Sequence, residues 1–339
     1  MSRRQRIFLL GKLAIAALLI GWLLRSGTLD FGALVLFVER PALLVATLSV
    51  FAFCTTLGAL RWRLLLRLAD VHLSVRRAVQ LTFTALFFNV VVPGNIGGDI
   101  VKSLYVARDA PLDKRASVFA IAFLDRLLAL AGLVVVGVVL TLAQGLAAWE
   151  DPGLRELSSL VVVLMFVTLV APIVLLVIIR RSGKRLEAWT QSTTRIGMIR
   201  GQLIAVARLV AVRPRILLAA LGLAITVHLT GITLFATLAT AITDQDVSVS
   251  TIASVYPVGI LSMMLPISHA GFGVGHLAFD KLFALVGLHG GATVLNVYLI
   301  GVTTPALLGV FPYLLLRREA APPTEAELAA TGGRPSTRF

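Results

Sequence analysis

Apolar residues along this chain gather into six uninterrupted runs: Ile7–Leu24, Pro41–Leu60, Ala116–Leu142, Leu157–Ile179, Ile216–Ile242 and Ala292–Leu316. A helix needs about 20 apolar residues to cross roughly 30 Å of hydrocarbon, so each run predicts a full span. The loops between them alternate in charge. Arg61, Arg63, Arg67, Arg76 and Arg77 load one, Lys102, Arg108, Lys114 and Arg115 the next, and nine arginines and lysines fall between Arg180 and Arg215. The opposite loops carry Glu150, Asp151 and Glu156, then Asp244 and Asp246, with Arg155 read as their one basic residue. Lysine and arginine bias sets orientation, which predicts cytoplasmic basic loops and two cytoplasmic termini in a cell (inner) membrane.

Two further apolar stretches are broken in the same manner. One reads Phe88-Asn89-Val90-Val91-Val92-Pro93-Gly94-Asn95-Ile96-Gly97-Gly98-Asp99; the other runs from Met264-Leu265-Pro266 through His269 to Gly271-Phe272-Gly273-Val274-Gly275. Pro93 and Pro266 stand 173 residues apart, one in each half of the chain. Non-helical backbone is tolerated at membrane depth only where protein or a wet cavity shelters it. Paired Gly/Pro interruptions in two halves point to a transporter-type binding site. Ala78–Gly98 lies between two basic loops and predicts a hairpin entering from the cytoplasmic face. Thr251–Leu288 follows Asp244 and Asp246 and predicts one entering from the other face. The expected fold is therefore all-α: a polytopic membrane protein with about six spans and two opposed re-entrant hairpins, built as an inverted repeat. Either hairpin being two short crossings is the open alternative. One transmembrane domain is expected over residues 1–318, in halves of about 1–150 and 151–318.

Composition agrees: 58 % of residues are hydrophobic and 14 % charged, with a mean hydropathy of +0.93. The net charge of +14 would suggest nucleic acid in a soluble protein, but here it sits in loops between spans, and no nucleic-acid partner is expected. Cys54 is the single cysteine, which excludes an intramolecular disulfide and a cysteine metal site. Arg3-Arg4-Gln5-Arg6 ahead of Ile7–Leu24 resembles a signal peptide, yet the run exceeds the usual h-region and no A-x-A-like site follows, so it is read as a retained helix. Leu186–Ala211 reads either as a surface-lying amphipathic helix or as a solvated connector, and residues 319–339 as a disordered tail.

The chemistry converges on the breaks. After Pro93 and Gly94, Gly97 and Gly98 free the backbone, and Asp99–Arg108 restarts as a helix whose N-terminus suits an anionic headgroup. Gly271, Gly273 and Gly275 lead likewise into His276–Val286. The competing reading is a pair of kinks where helices pack through glycine. Asp99 and Lys102 stand three apart and pair on one face if helical. Asp125 and Arg126 fall within a span, where ionisable groups are costly and mark function unless they snorkel. Arg61 and Arg63 close the second span and read first as interfacial anchors, with headgroup binding as the second reading. His269 and His276 are candidates to donate to a phosphate; His228 lies mid-span without an obvious partner. No metal-ligand spacing, nucleophile beside a base or Walker loop is present, so no catalytic set, metal or cofactor is expected.

Ala59-Leu60-Arg61-Trp62-Arg63-Leu64-Leu65-Leu66, Phe88-Asn89 leading to Pro93-Gly94 and Gly97-Gly98-Asp99, then Asp125-Arg126-Leu127 and Gly271-Phe272-Gly273-Val274 resemble the lysylphosphatidylglycerol synthase transmembrane family. The resemblance covers roughly Ile7 to Leu316 and implies a flippase-like, lipid-handling membrane domain. In the name-giving enzymes this domain moves aminoacylated phosphatidylglycerol while a separate soluble domain makes it. Other relatives accompany enzymes of polyprenyl-phosphate sugars or hopanoid biosynthesis. Lys102 stands where arginine is commoner and Asp125 where glutamate is; both keep the charge. A soluble synthase region is missing from the sequence, so lysyl transfer is not expected of it.

Two functions follow from these readings. One is a flippase-like transporter of a phosphate-headgroup lipid, either a phospholipid or a polyprenyl-phosphate-linked one, with anionic membrane lipids as its partners. Its binding residues would be Asn89, Pro93, Gly94, Gly97, Gly98, Asp99, Lys102, Asp125, Arg126, His269, Gly271, Gly273 and His276. The other is a membrane enzyme, or an accessory subunit of a lipid-modifying enzyme, with Asp99 and Asp125 as its candidate carboxylates. Nothing in the sequence brings those two together.

Overall fold

The computed structural model describes residues 31–91, 97–143, 213–243, 245–263 and 274–319, with isolated positions 152, 155, 159 and 163. The elements among them are helices: α1 Phe31–Glu39, α2 Pro41–Leu66, α3 Val75–Val91, α4 Gly97–Asp109, α5 Arg115–Ala143, α6 Pro214–Thr243, α7 Val249–Met263, α8 Val274–Leu285, α9 Gly291–Leu307 and α10 Val310–Glu319. Short 3-10 turns at Arg67–Ala69 and Leu112–Lys114 extend the end of α2 and the start of α5. Four of the expected spans are present as helices long and apolar enough to cross a membrane: Pro41–Ala69, Leu112–Leu140, Pro214–Thr243 and Gly291–Leu316. The other two, Ile7–Leu24 and Leu157–Ile179, lie outside the described residues, as do the expected surface helix Leu186–Ala211 and residues 320–339 of the tail. Helix α1 was not foreseen; it packs on α2 and α9.

The outer faces read as lipid-facing. Val45, Leu48 and Phe53 of α2 and Leu218 and Leu229 of α6 are exposed, a surface that water penalises and hydrocarbon does not. Thr226, Thr230, Thr233 and Thr237 line α6, and each hydroxyl donates to the carbonyl four residues earlier, at 2.8–3.0 Å. Such back-bonding satisfies a hydroxyl without water. Inside, Gly132 of α5 meets Ala224 of α6, where an added Cβ would stand 2.7 Å from the alanine Cβ; small residues let the two backbones close in.

The order long, short, short, long occurs twice: α2–α3–α4–α5, then α6–α7–α8 and the span Gly291–Leu316 formed by α9 with α10. Packing follows the same scheme after the halves are exchanged. Helices α2 and α6 pack on each other, α5 packs on α6 and α7, and α9 packs on α2 and α3. Both α3–α4 and α7–α8 are packed pairs.

Polar contacts at the helix ends fix the directions. Arg213, just before α6, donates to the Arg67 carbonyl (2.9 Å) and to Asp70 Oδ1 (3.0 Å) at the end of α2. Arg40, just before α2, donates to the Ala241 carbonyl near the end of α6 (2.7 Å). The matching helices α2 and α6 thus run antiparallel. Lys114 reaches the Asp70 carbonyl at 3.4 Å, so the α3–α4 pair leaves and returns at one end of the bundle. The His289 N–H donates to Gln245 Oε1 at 3.1 Å, so α7–α8 leaves and returns at the other. Arg40 also corrects the reading of Arg155 as the one basic residue of its face, because it stands at the end that carries Ala241 and Gln245.

Asp70 organises the first end. It takes a left-handed conformation (φ 52°) after the 3-10 turn, which aspartate tolerates better than most residues. One apolar core surrounds Phe235, Tyr256, Phe279 and Phe283 beside the α7–α8 pair. A second surrounds Trp62, Leu65, Leu81 and Ile121 beside α3–α4.

Candidate functional site

The second core holds a group of charges. Arg61 on α2, Asp99 and Lys102 on α4, and Asp125 and Arg126 on α5 converge there. Asp99 and Lys102 pair at 2.9 Å, as their i,i+3 spacing predicts. Arg61 Nε donates to Asp125 Oδ1 at 2.7 Å, Lys102 Nζ lies 3.7 Å from Asp125 Oδ2, and Arg126 Nε donates to Asp99 Oδ2. Lys102 therefore joins the two carboxylates that the sequence left apart. Its ammonium also stands 4.8 Å from the centroid of the Trp62 ring, a cation–π contact that gains strength when desolvated. Trp62 Nε1 and Ser103 Oγ nearby in sequence are buried polar atoms with no partner among the described residues.

The group is closed at one side and open at the other. The Arg61 and Asp125 side chains are 10 % and 9 % exposed, whereas Asp99 is 16 % and Arg126 36 % exposed. Asp125 lies ten residues past the start of α5, about 15 Å along the axis. It is buried and paired on both oxygens, so it does not snorkel. Among the described residues three cations face two carboxylates, leaving one positive charge in a partly desolvated place. Charges buried this way are costly unless paired, and the surplus suits a singly charged anion. Both carboxylates are committed to cations, which disfavours them as a metal cage or as a free general base.

The sequence reads Arg61 first as an anchor and second as a headgroup ligand; its pairing with Asp125 is what that reading misses. The available signal was Asp125 itself, since a carboxylate within a span demands a counter-ion on a neighbouring helix. Arg63 Nε donates to the Leu73 carbonyl at 2.6 Å and closes the turn between α2 and α3.

At the first break, Asn89 and Gly98 satisfy each other. The Gly98 N–H, one of the unpaired donors of the first turn of α4, donates to Asn89 Oδ1 at 2.8 Å. A Cβ on Gly98 would stand 2.0 Å from the Ala85 carbonyl oxygen, so α4 crosses α3 in backbone contact there. Gly98 has a packing reason, and a larger residue at this position acts first on the α3–α4 contact. Gly97 begins α4 and is half-buried. Pro93 and Gly94 lie outside the described residues, as do His269, Gly271 and Gly273 of the second break. His276, on the first turn of α8, is set apart from the charged group and interacts with the Asn296 side chain of α9. His228 Nε2 bonds the Ala129 carbonyl at 2.9 Å, tying α6 to α5.

The family described as the lysylphosphatidylglycerol synthase TM region matches residues 9–320 of the chain. No curated protein and no solved structure matches it.

Proposed function

Because the chain belongs to the lysylphosphatidylglycerol synthase TM region family, a membrane family, we propose that it moves a lipid with a singly charged phosphodiester headgroup between leaflets. The observation that carries this reading is the charged group of α2, α4 and α5, whose surplus positive charge opens through Arg126. A headgroup crossing bare hydrocarbon loses its hydration at a cost of several kcal/mol per polar group. Lys102 and Arg126 replace part of that hydration with charge-assisted hydrogen bonds.

The hairpins supply the path. At 1.5 Å per residue the 17 residues of α3 span about 25 Å and the 12 residues of α8 about 18 Å, short of roughly 30 Å of hydrocarbon. In this reading each hairpin is re-entrant, one from each face, and each packs through its first helix on the opposite half, α3 on α9 and α7 on α5. Cysteines introduced at Arg76 and Arg108 in a Cys54→Ala background label from the cytoplasm alone, and one at Asp246 from outside alone. External labelling at Arg108 removes the first re-entrant hairpin.

The function is tested with purified protein in liposomes. Leaflet exchange of fluorescent phosphatidylglycerol should exceed that of empty vesicles by at least tenfold, with a neutral diacylglycerol analogue unaffected. If no lipid moves faster while an aminoacyl or sugar group is chemically transferred, the protein is an enzyme of the membrane surface instead.

A further inference from the structure

We infer that Asp99 is an internal stand-in for the lipid phosphate: its carboxylate occupies the cations that the headgroup takes over when it binds. The inference rests on the charged group being the headgroup site. It names the step by which that site loads and unloads.

The two carboxylates of the group are not equivalent. Asp125 is the buried one, held by Arg61 and approached by Lys102 from the far side. Asp99 is the more exposed one, and its two oxygens are divided between Lys102 (Oδ1) and Arg126 (Oδ2). Arg126 is the most exposed cation of the group. A phosphodiester also presents two anionic oxygens from one centre, so it offers Lys102 and Arg126 the bonds that Asp99 now provides. Arginine and lysine both bind carboxylate and phosphate oxygens readily. Exchanging one for the other leaves each cation paired throughout; the displaced Asp99 carboxylate, at 16 % exposure the more exposed of the two, is then the group without its partners, and that cost favours its return. Asp125 stays on Arg61 and keeps the floor of the site in place.

The consequence is competition. The resident carboxylate weakens headgroup binding and, by returning to its cations, drives release. Removing its charge raises the surplus of the group by one unit at a distance of a few ångströms, where a unit charge acts strongly even at an effective dielectric constant of about 20. Affinity for the anion rises while turnover falls, a combination that a merely structural aspartate does not give.

The experiment is isothermal titration of the full-length protein in a neutral detergent. The probes are dihexanoylphosphatidylglycerol, a singly charged phosphodiester lipid, and dimethyl phosphate, which has the same charge and no lipid. Asp99→Asn should bind the short-chain lipid about tenfold more tightly than the parent protein, and Arg126→Gln more weakly. The same Asp99→Asn protein should exchange lipid more slowly in liposomes. Where Asp99→Asn does not purify as a monodisperse protein, Asp99→Ser carries the comparison. Equal or weaker binding by the charge-removed variant overturns the stand-in role while leaving leaflet exchange by the parent protein untouched. Tighter binding of dimethyl phosphate without tighter binding of the lipid overturns the lipid assignment. Absence of binding by both proteins overturns the stand-in, and the liposome assay then judges transport separately.

Discussion

Arg61→Met strips Asp125 of its closest partner and should cost about 3–5 kcal/mol of stability, the range for breaking a buried pair from one side. The bond is short, both side chains are about nine-tenths buried, and the residues come from different helices, α2 and α5. Methionine keeps most of the volume of the arginine stem, so lost packing is a minor part of the effect. Lys102 lies 3.7 Å from the other carboxylate oxygen and already serves Asp99, so it compensates only in part. The expected result is a large drop in thermal midpoint in detergent and poor monodispersity. The double variant Arg61→Met/Asp125→Leu removes both charges and should recover most of the loss, since apolar replacement of a whole buried pair is often neutral or stabilising. A double variant as unstable as the single would show that the charge pairing is not the source.

Lys102→Met should lower leaflet exchange of phosphatidylglycerol by tenfold or more while the protein still folds. In its absence Asp99 keeps Arg126 and Asp125 keeps Arg61, so neither carboxylate is orphaned. The net charge of the group falls from plus one to zero, and the attraction for a headgroup falls with it. Lys102→Arg should retain exchange, because a guanidinium over the Trp62 ring preserves both charge and stacking. Unimpaired exchange by Lys102→Met would place the headgroup elsewhere in the molecule.

Long, uniformly apolar segments made the spans legible from sequence, because every backbone group of a lipid-exposed segment must be satisfied within its own helix. The restart of a helix at Asp99, which the structure begins two residues earlier at Gly97, was legible for a related reason, since the glycines before Asp99 end one helix and free the chain to begin another. Helix α1 was not, because Phe31–Glu39 is too short to span and its helicity depends on packing against α2 and α9. The charged group was half legible. Asp99 and Lys102 declared themselves by spacing, but Arg61 and Asp125 are 64 residues apart, and no local rule brings them together. Gly98 shows the same limit in reverse: its sequence context suggests backbone offered to a ligand, and the fold spends that closeness on the Ala85 carbonyl.

The central antiparallel pair is pinned at both extremities, by Arg213 on Arg67 and Asp70 at one and by Arg40 on Ala241 at the other. Mechanically, such a pair is an axle. Its two shafts resist sliding past one another, because a shift of one residue, about 1.5 Å, would lengthen all three of these bonds. A transport cycle of the kind proposed would then leave α2 and α6 in register with one another. The elements around this pair are coupled crosswise, since α5 of the first half bears on α7 of the second and α9 of the second bears on α3 of the first. A tilt of either hairpin is therefore felt by a long helix of the other half.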